Sequence, residues 1–112
     1  MLIYKIIPRS LWHAAERKGF FEGAAIDLAD GYIHFSTAAQ LRETAAKHFA
    51  GQTDLVVLTV DSELCESDLR WEPSRGGDLF PHLYAPLAVD HVSAVHDLPW
   101  RDGVHDFGVI VA

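Results

Sequence analysis

The chain has one cysteine among 112 residues, Cys65. No internal disulfide can form, so the fold rests on a packed core, and a reducing, cytoplasmic setting is the expectation. Cys65 lies among Glu63, Glu66 and Asp68, whose charges raise a thiol pKa, so it reads as a small packing residue and not a nucleophile. Long apolar runs are missing: Leu55–Val60 and Val109–Ala112 are the longest and fall far short of a bilayer span. Leu2–Ile7 carries Lys5 and no small-residue cleavage site, so a signal peptide is not expected. Basic residues are scarce, nine Lys and Arg against sixteen Asp and Glu, a formal charge of −7. A field of that sign repels nucleic acid and anionic membrane, and neither is an expected partner. Repeats, linkers and low-complexity runs are also absent, which leaves one domain over 1–112.

What is present is an ordinary globular composition, 49% hydrophobic and 22% charged, enough to bury a core. Leu2–Ile7, Tyr32–Phe35, Leu55–Val60, Leu69–Glu72 and His91–Leu98 read as strands, from β-branched content and alternation. Two helices are expected, Ser10–Lys18 closed by Gly19, and Thr37–Ala50 closed by Gly51. In the second, Thr37 and Gln40 stand at capping-box spacing. Phe20–Leu28 reads as irregular or a short strand. Phe80–Leu87 holds Pro81 and Pro86 and reads as an irregular crossing segment, not a central strand. The fold class is α+β, a mostly antiparallel sheet with two helices. The expected core is Ile3, Leu11, Ile33, Phe35, Leu41, Phe49, Val56, Leu58, Val60, Trp71 and Val92.

Seven histidines invite a metal reading, but no His-x-x-x-His, His-x-His or Cys-x-x-Cys spacing supports one, and no metal site is expected. Three clusters carry the chemistry instead. In Tyr32-Ile33-His34-Phe35-Ser36-Thr37, alternation puts Ile33 and Phe35 on an apolar face and Tyr32, His34 and Ser36 on the other, where a helix begins. A helix N-terminus is a ready anion site; the plainer alternative is that His34 bonds a neighbouring carbonyl and Ser36 or Thr37 merely caps. In Phe80-Pro81-His82-Leu83-Tyr84-Ala85-Pro86, two prolines stiffen a segment that presents His82 and Tyr84 on one side. The plainer alternative is core packing by Phe80, Leu83 and Tyr84. In Arg70-Trp71-Glu72, Trp71 faces the core while Arg70 and Glu72 share the other face. They form either an ion pair or a carboxylate acid beside an anion-binding arginine. His34 and His82 are expected within roughly 10 Å of each other, the scale of a small-molecule pocket. One concave site would hold both, with Tyr84 in its wall and the first turn of the Thr37 helix at its edge.

Those strings, with Tyr4-Lys5-Ile6 near the start, resemble over nearly the whole chain a family of small bacterial proteins, domain-of-unknown-function family 952. That family is in turn similar, remotely, to the ADP-ribosyltransferase fold. The resemblance implies a split antiparallel sheet and a pocket for a nucleotide-like ligand, with NAD a possible cofactor. It matches His34, Ser36 and Thr37 to the fold's middle-strand motif, and Glu72 or His82 to its third motif. The first strand departs, offering Tyr4 and Lys5 where a His or Arg is the rule. On this reading His34, Glu72 and His82 are catalytic, and Lys5, Tyr32, Ser36, Thr37, Arg70 and Tyr84 bind ligand. Glu72 would stabilise an oxocarbenium-like transition state, and Tyr84 would stack a ring. The alternative is a non-catalytic binding or protein-interaction module.

Overall fold

A computed structural model describes residues 1–108 of the chain, so the apolar run expected at Val109–Ala112 lies outside the described residues. Leu55–Val60 becomes β4 (Leu55–Asp61), and its unbroken apolar pattern follows from its position: β1 (Leu2–Pro8) pairs with one edge and β8 (Val92–Leu98) with the other, both antiparallel. A second three-stranded antiparallel sheet has the order β3 (Ile33–His34), β6 (Asp78–Leu83), β5 (Leu69–Ser74). One isolated bridge joins β1 to the segment after β3: Tyr4 N–H donates to the Ser36 carbonyl at 2.8 Å, and Ser36 N–H to the Tyr4 carbonyl at 2.9 Å. Short pairs complete the strands, β2 (Phe20–Phe21) with β7 (Leu87–Ala88) and β9 (Trp100–Arg101) with β10 (Val104–His105).

The helices are α1 (Arg9–Lys18), α2 (Ala25–Asp30) and α3 (Ala38–His48). α1 starts one residue earlier than expected. Ser10 lies inside it and caps nothing; the Arg9 N–H is satisfied by the Asp54 carbonyl instead. Gly19 closes it in the left-handed conformation, φ 88°. α3 has the expected capping box: Gln40 N–H donates to Thr37 Oγ1 at 3.3 Å, and Thr37 N–H to Gln40 Oε1 at 3.0 Å. Its end comes at His48, before Gly51, with Phe49 as cap. α2 falls in the stretch read as irregular.

Two corrections concern the second sheet. β6 is its central strand, although it contains Pro81. The Pro81 carbonyl accepts from Phe35 N–H on the β3 side, so the proline nitrogen points the same way, to where β3 has ended. The missing N–H therefore leaves the β5 ladder intact. Trp71 is not core. It keeps the parity of Leu69 and Leu83, but β5 is the outer strand and Trp71 is 39% exposed. The other expected core residues are buried or partly buried in two clusters, one holding Ile3, Ile33, Phe35, Val56 and Leu58, the other Tyr4, Ile6, Leu41 and Val57.

Candidate functional site

Register across the second sheet builds the site. His34 lies opposite His82, and His82 opposite Arg70, in one row; Ile33, Leu83 and Leu69 form the next. Because successive side chains alternate, the second row fills the core, and His34 and His82 of the first face a cleft of about 650 Å³. Its walls come from β1, α1, α2, β3, α3 and β6, and apolar groups such as Leu11, Ile26, Phe49 and Phe80 dominate them. The polar lining includes Lys5, Asp30, Tyr32, His34 and His82.

The two imidazoles meet edge to face with centroids 5.3 Å apart. Tyr32 stacks on His82 at 4.2 Å and tilts toward His34 at 4.6 Å. His82 is 3% exposed, and its Nδ1 lies 2.9 Å from Glu72 Oε1. The same oxygen accepts the Tyr84 hydroxyl at 2.7 Å. These bonds to Tyr84 and His82 hold the Glu72 carboxyl below the usual range and push the Tyr84 phenol up. Among the described residues His82 Nε2 makes no hydrogen bond.

A residue not singled out from sequence organises the other imidazole. Asp27 of α2 is 2% exposed, and its carboxylate accepts from Lys5 Nζ at 3.0 Å, Ala24 N–H at 2.8 Å and His34 N–H at 3.1 Å. His34 Nδ1 lies 2.6 Å from the same carboxylate, and His34 Nε2 lies 2.9 Å from Asp30. Burial, the largest influence, raises the Asp27 pKa. The His34 hydrogen bond, the Lys5 charge and the two backbone donors outweigh it and hold the group at about 2. On Lys5 burial prevails over Asp27 and pulls the ammonium below its ordinary 10.5. Two signals in the sequence pointed here: a lysine inside an apolar strand needs a buried counter-charge, and Gly23 and Gly31 bracket a short acidic segment.

The remaining sequence candidates take other places. Thr37 is committed to the α3 cap and does not line the cleft; Ser36 lines it, but its hydroxyl is bonded to that of Thr44 at 2.9 Å. The α3 contribution is thus its body, through Thr44 and His48, and not its first turn. Arg70 sits over the Tyr84 ring at 5.2 Å, and Glu72 is engaged by Tyr84 and His82. Tyr84 does not line the cleft; it borders a neighbouring groove of about 260 Å³, whose lining also includes Tyr32. Cys65 is buried and donates weakly to the Ser62 carbonyl; burial, with Asp61 and Asp68, pushes its thiol up. Among the described residues, no group of three or more His, Cys, Asp or Glu is arranged around a common metal position. No helix of the described residues is long and apolar enough to cross a membrane.

No curated protein matches the chain. Among solved structures, the crystal structure of protein CC0527 from Caulobacter crescentus, a structural genomics target, is 53% identical, covers 99% of this chain and 98% of that one, and superposes with a TM-score of 0.95. A crystal structure of a double mutant of CC0527 gives 53% identity, coverage of 99% and 98%, and 0.94. Its solution NMR structure gives 54% identity, coverage of 99% and 97%, and 0.88. The model of the family described as "Protein of unknown function (DUF952)" matches residues 6–95, and the chain belongs to that family.

Proposed function

We propose that the chain binds a small, nucleotide-like ligand in the 650 Å³ cleft, with NAD and ADP-ribose the first compounds to consider. The observation that carries this is the pairing of two imidazoles at the wall of a mostly apolar cleft, one of them with its Nε2 unengaged among the described residues. Apolar walls accept a base or ring, and a few convergent polar groups orient the rest; that is the make-up of small-molecule sites of roughly 300–1,000 Å³. His82 would contact ribose or phosphate through Nε2, while His34, its two ring nitrogens held by Asp27 and Asp30, and Lys5, paired with Asp27, would shape the polar wall beside it. The choice of NAD follows the resemblance to the ADP-ribosyltransferase fold, for which the division into two three-stranded antiparallel sheets is supporting. A net charge of −7 favours a small molecule over nucleic acid or an anionic membrane as partner.

In the catalytic form of this reading, the glycosidic bond of NAD breaks through an oxocarbenium-like transition state, stabilised by Glu72 with His34 and His82 beside it; nicotinamide leaves with the bonding pair and water adds to the ribosyl carbon, losing a proton to solvent. A specific observation favours the second reading, a binding module without turnover: Glu72 accepts from both Tyr84 and His82 and stands outside the cleft lining. Isothermal titration with NAD, ADP-ribose and nucleoside phosphates tests the site. Heat at sub-millimolar ligand that disappears in a His34→Ala, His82→Ala double variant is expected, and silence with every ligand at millimolar concentration rejects it. Glu72→Gln then separates the two forms. Turnover lost while binding survives marks Glu72 as catalytic; binding without turnover in either protein marks the module.

A further inference from the structure

We infer that His34 and His82 act as a general acid and a general base, and that the cleft hydrolyses a nucleoside 2′,3′-cyclic monophosphate, a small strained phosphodiester. The inference rests on the nucleotide-like reading and gives that site a reaction other than glycosidic cleavage.

The hydrogen bonds divide the roles. An ionised carboxylate only accepts, and an imidazole donates from each nitrogen that carries a proton. His34 Nδ1 lies 2.6 Å from Asp27 and its Nε2 2.9 Å from Asp30, so both nitrogens donate and the ring carries two protons. His82 donates from Nδ1 to Glu72 at 2.9 Å, which leaves a lone pair on Nε2. That nitrogen has no hydrogen bond among the described residues, although the side chain is 3% exposed. Among the described residues the only fully buried side-chain nitrogen or oxygen without a partner is His96 Nδ1, so His82 Nε2 is within reach of solvent. One ring has a proton to give and the other a place to take one, with centroids 5.3 Å apart on the wall of one cleft. Asp30 ends α2 and its side chain is 43% exposed, so a leaving oxygen can take its place on His34 Nε2.

Magnitude selects the substrate. Positioned acids and bases contribute about 10²–10⁴-fold, whereas whole enzymatic accelerations run to about 10⁶–10¹⁷-fold. The imidazole pair by itself therefore suits a bond that is already reactive, and a five-membered cyclic phosphate releases ring strain when it opens. Lys5 and His34 balance Asp27 and Asp30 at this wall, so a singly charged diester meets no net repulsion. The overall charge of −7 turns away an RNA chain and leaves the monomer. In the reaction water adds to phosphorus while His82 Nε2 takes one of its protons. The bond from phosphorus to the 2′- or 3′-oxygen breaks, that oxygen keeps the electron pair, and His34 Nε2 protonates it. The product is a nucleoside monophosphate, phosphorus keeps its oxidation state, and solvent returns the proton from His82 to His34.

The test incubates full-length protein with 2′,3′-cyclic AMP and, separately, with 3′,5′-cyclic AMP, and follows the products by 31P NMR. Adenosine 2′- or 3′-monophosphate is expected from the first at about 100-fold or more above buffer, and nothing from the unstrained second. His34→Gln and His82→Gln should each remove most of that acceleration. A second measurement needs no variant: imidazole 15N shifts at pH 7 should show protons on both nitrogens of His34 and a bare Nε2 on His82. Equal proton loads on the two rings, hydrolysis that survives either substitution, or hydrolysis of both substrates at like rates overturns the inference. Calorimetric binding of 2′,3′-cyclic AMP without hydrolysis also overturns it and leaves the nucleotide-like reading standing. Binding of neither cyclic nucleotide, nor of AMP or NAD, overturns both.

Discussion

Replacing Asp27 with Asn is the most informative single change. The substitution keeps size and removes charge. In the native fold the carboxylate is 2% exposed and takes hydrogen bonds from Lys5 Nζ and the backbone N–H groups of Ala24 and His34, with His34 Nδ1 at 2.6 Å. Without it the Lys5 ammonium, itself 7% exposed, is left buried and unpaired. Breaking a buried pair in this one-sided way costs about 3–5 kcal/mol. A domain of this size has about 5–15 kcal/mol in total, and each kcal/mol lost lowers Tm by roughly 4 °C or more. Asp27→Asn should therefore melt more than about 10 °C below the parent by calorimetry at pH 7. Acid titration gives an independent check. The Asp27 pKa is about 2 in the folded protein against an ordinary 3.8. A carboxyl lowered by folding stabilises above its unfolded pKa, and the contribution fades as pH falls through the folded one. It amounts to about 2–3 kcal/mol, lost between roughly pH 4 and pH 2. That part of the acid limb should vanish in Asp27→Asn. Lys5→Met is the control: it leaves Asp27 with His34 and two backbone donors and should cost less. A Tm within about 3 °C of the parent for Asp27→Asn, with the acid limb unchanged, would refute the account.

Thr37→Ala removes the hydroxyl that caps α3 and should lower stability by about 0.5–2 kcal/mol in urea unfolding, while Thr37→Ser should lose much less. Gly23 has φ +127°, and a Cβ there would stand 2.8 Å from the Asp27 Cβ. Gly23→Ala should therefore cost about 1–3 kcal/mol and also displace the His34 ring resonances in NMR spectra. Cys65 should react with a disulfide reagent at pH 7 far more slowly than a free cysteine, since burial and two nearby carboxylates hold it as the thiol; a rate equal to free cysteine would contradict its placement.

The parts of this fold legible in the sequence were those where one local rule acted alone. The Leu55–Val60 run marked a strand flanked on both sides, and the Thr37–Gln40 spacing marked the start of α3. The row of His34 and His82 was foreshadowed by alternation in each segment, though their pairing across the sheet is a long-range fact. Failures came where tertiary context overrode the local signal. Pro81 argued against a central strand, but its carbonyl meets Phe35 just where β3 ends, so the missing donor is harmless. Trp71 had core parity and stayed exposed because no strand follows β5 on that side. α2 has six residues and no side-chain N-cap at Ala24, too little for periodicity to register. Asp27 was therefore missed, although buried Lys5 called for a partner.

The Tyr4–Ser36 bridge has a consequence for how load travels through the molecule. Among the described residues two backbone hydrogen bonds form the ladder between the two sheets, whereas β1 and β4 are paired over seven residues. The cleft lies along this join, with β1 on one bank and β3 and β6 on the other. A shear that parted the banks would break these two backbone bonds together with the Lys5–Asp27–His34 contacts and the core shared by Ile3, Ile33 and Phe35, and leave both ladders whole. The molecule is thus two stiff plates with little backbone bonding across their join, and the join runs beside the cleft.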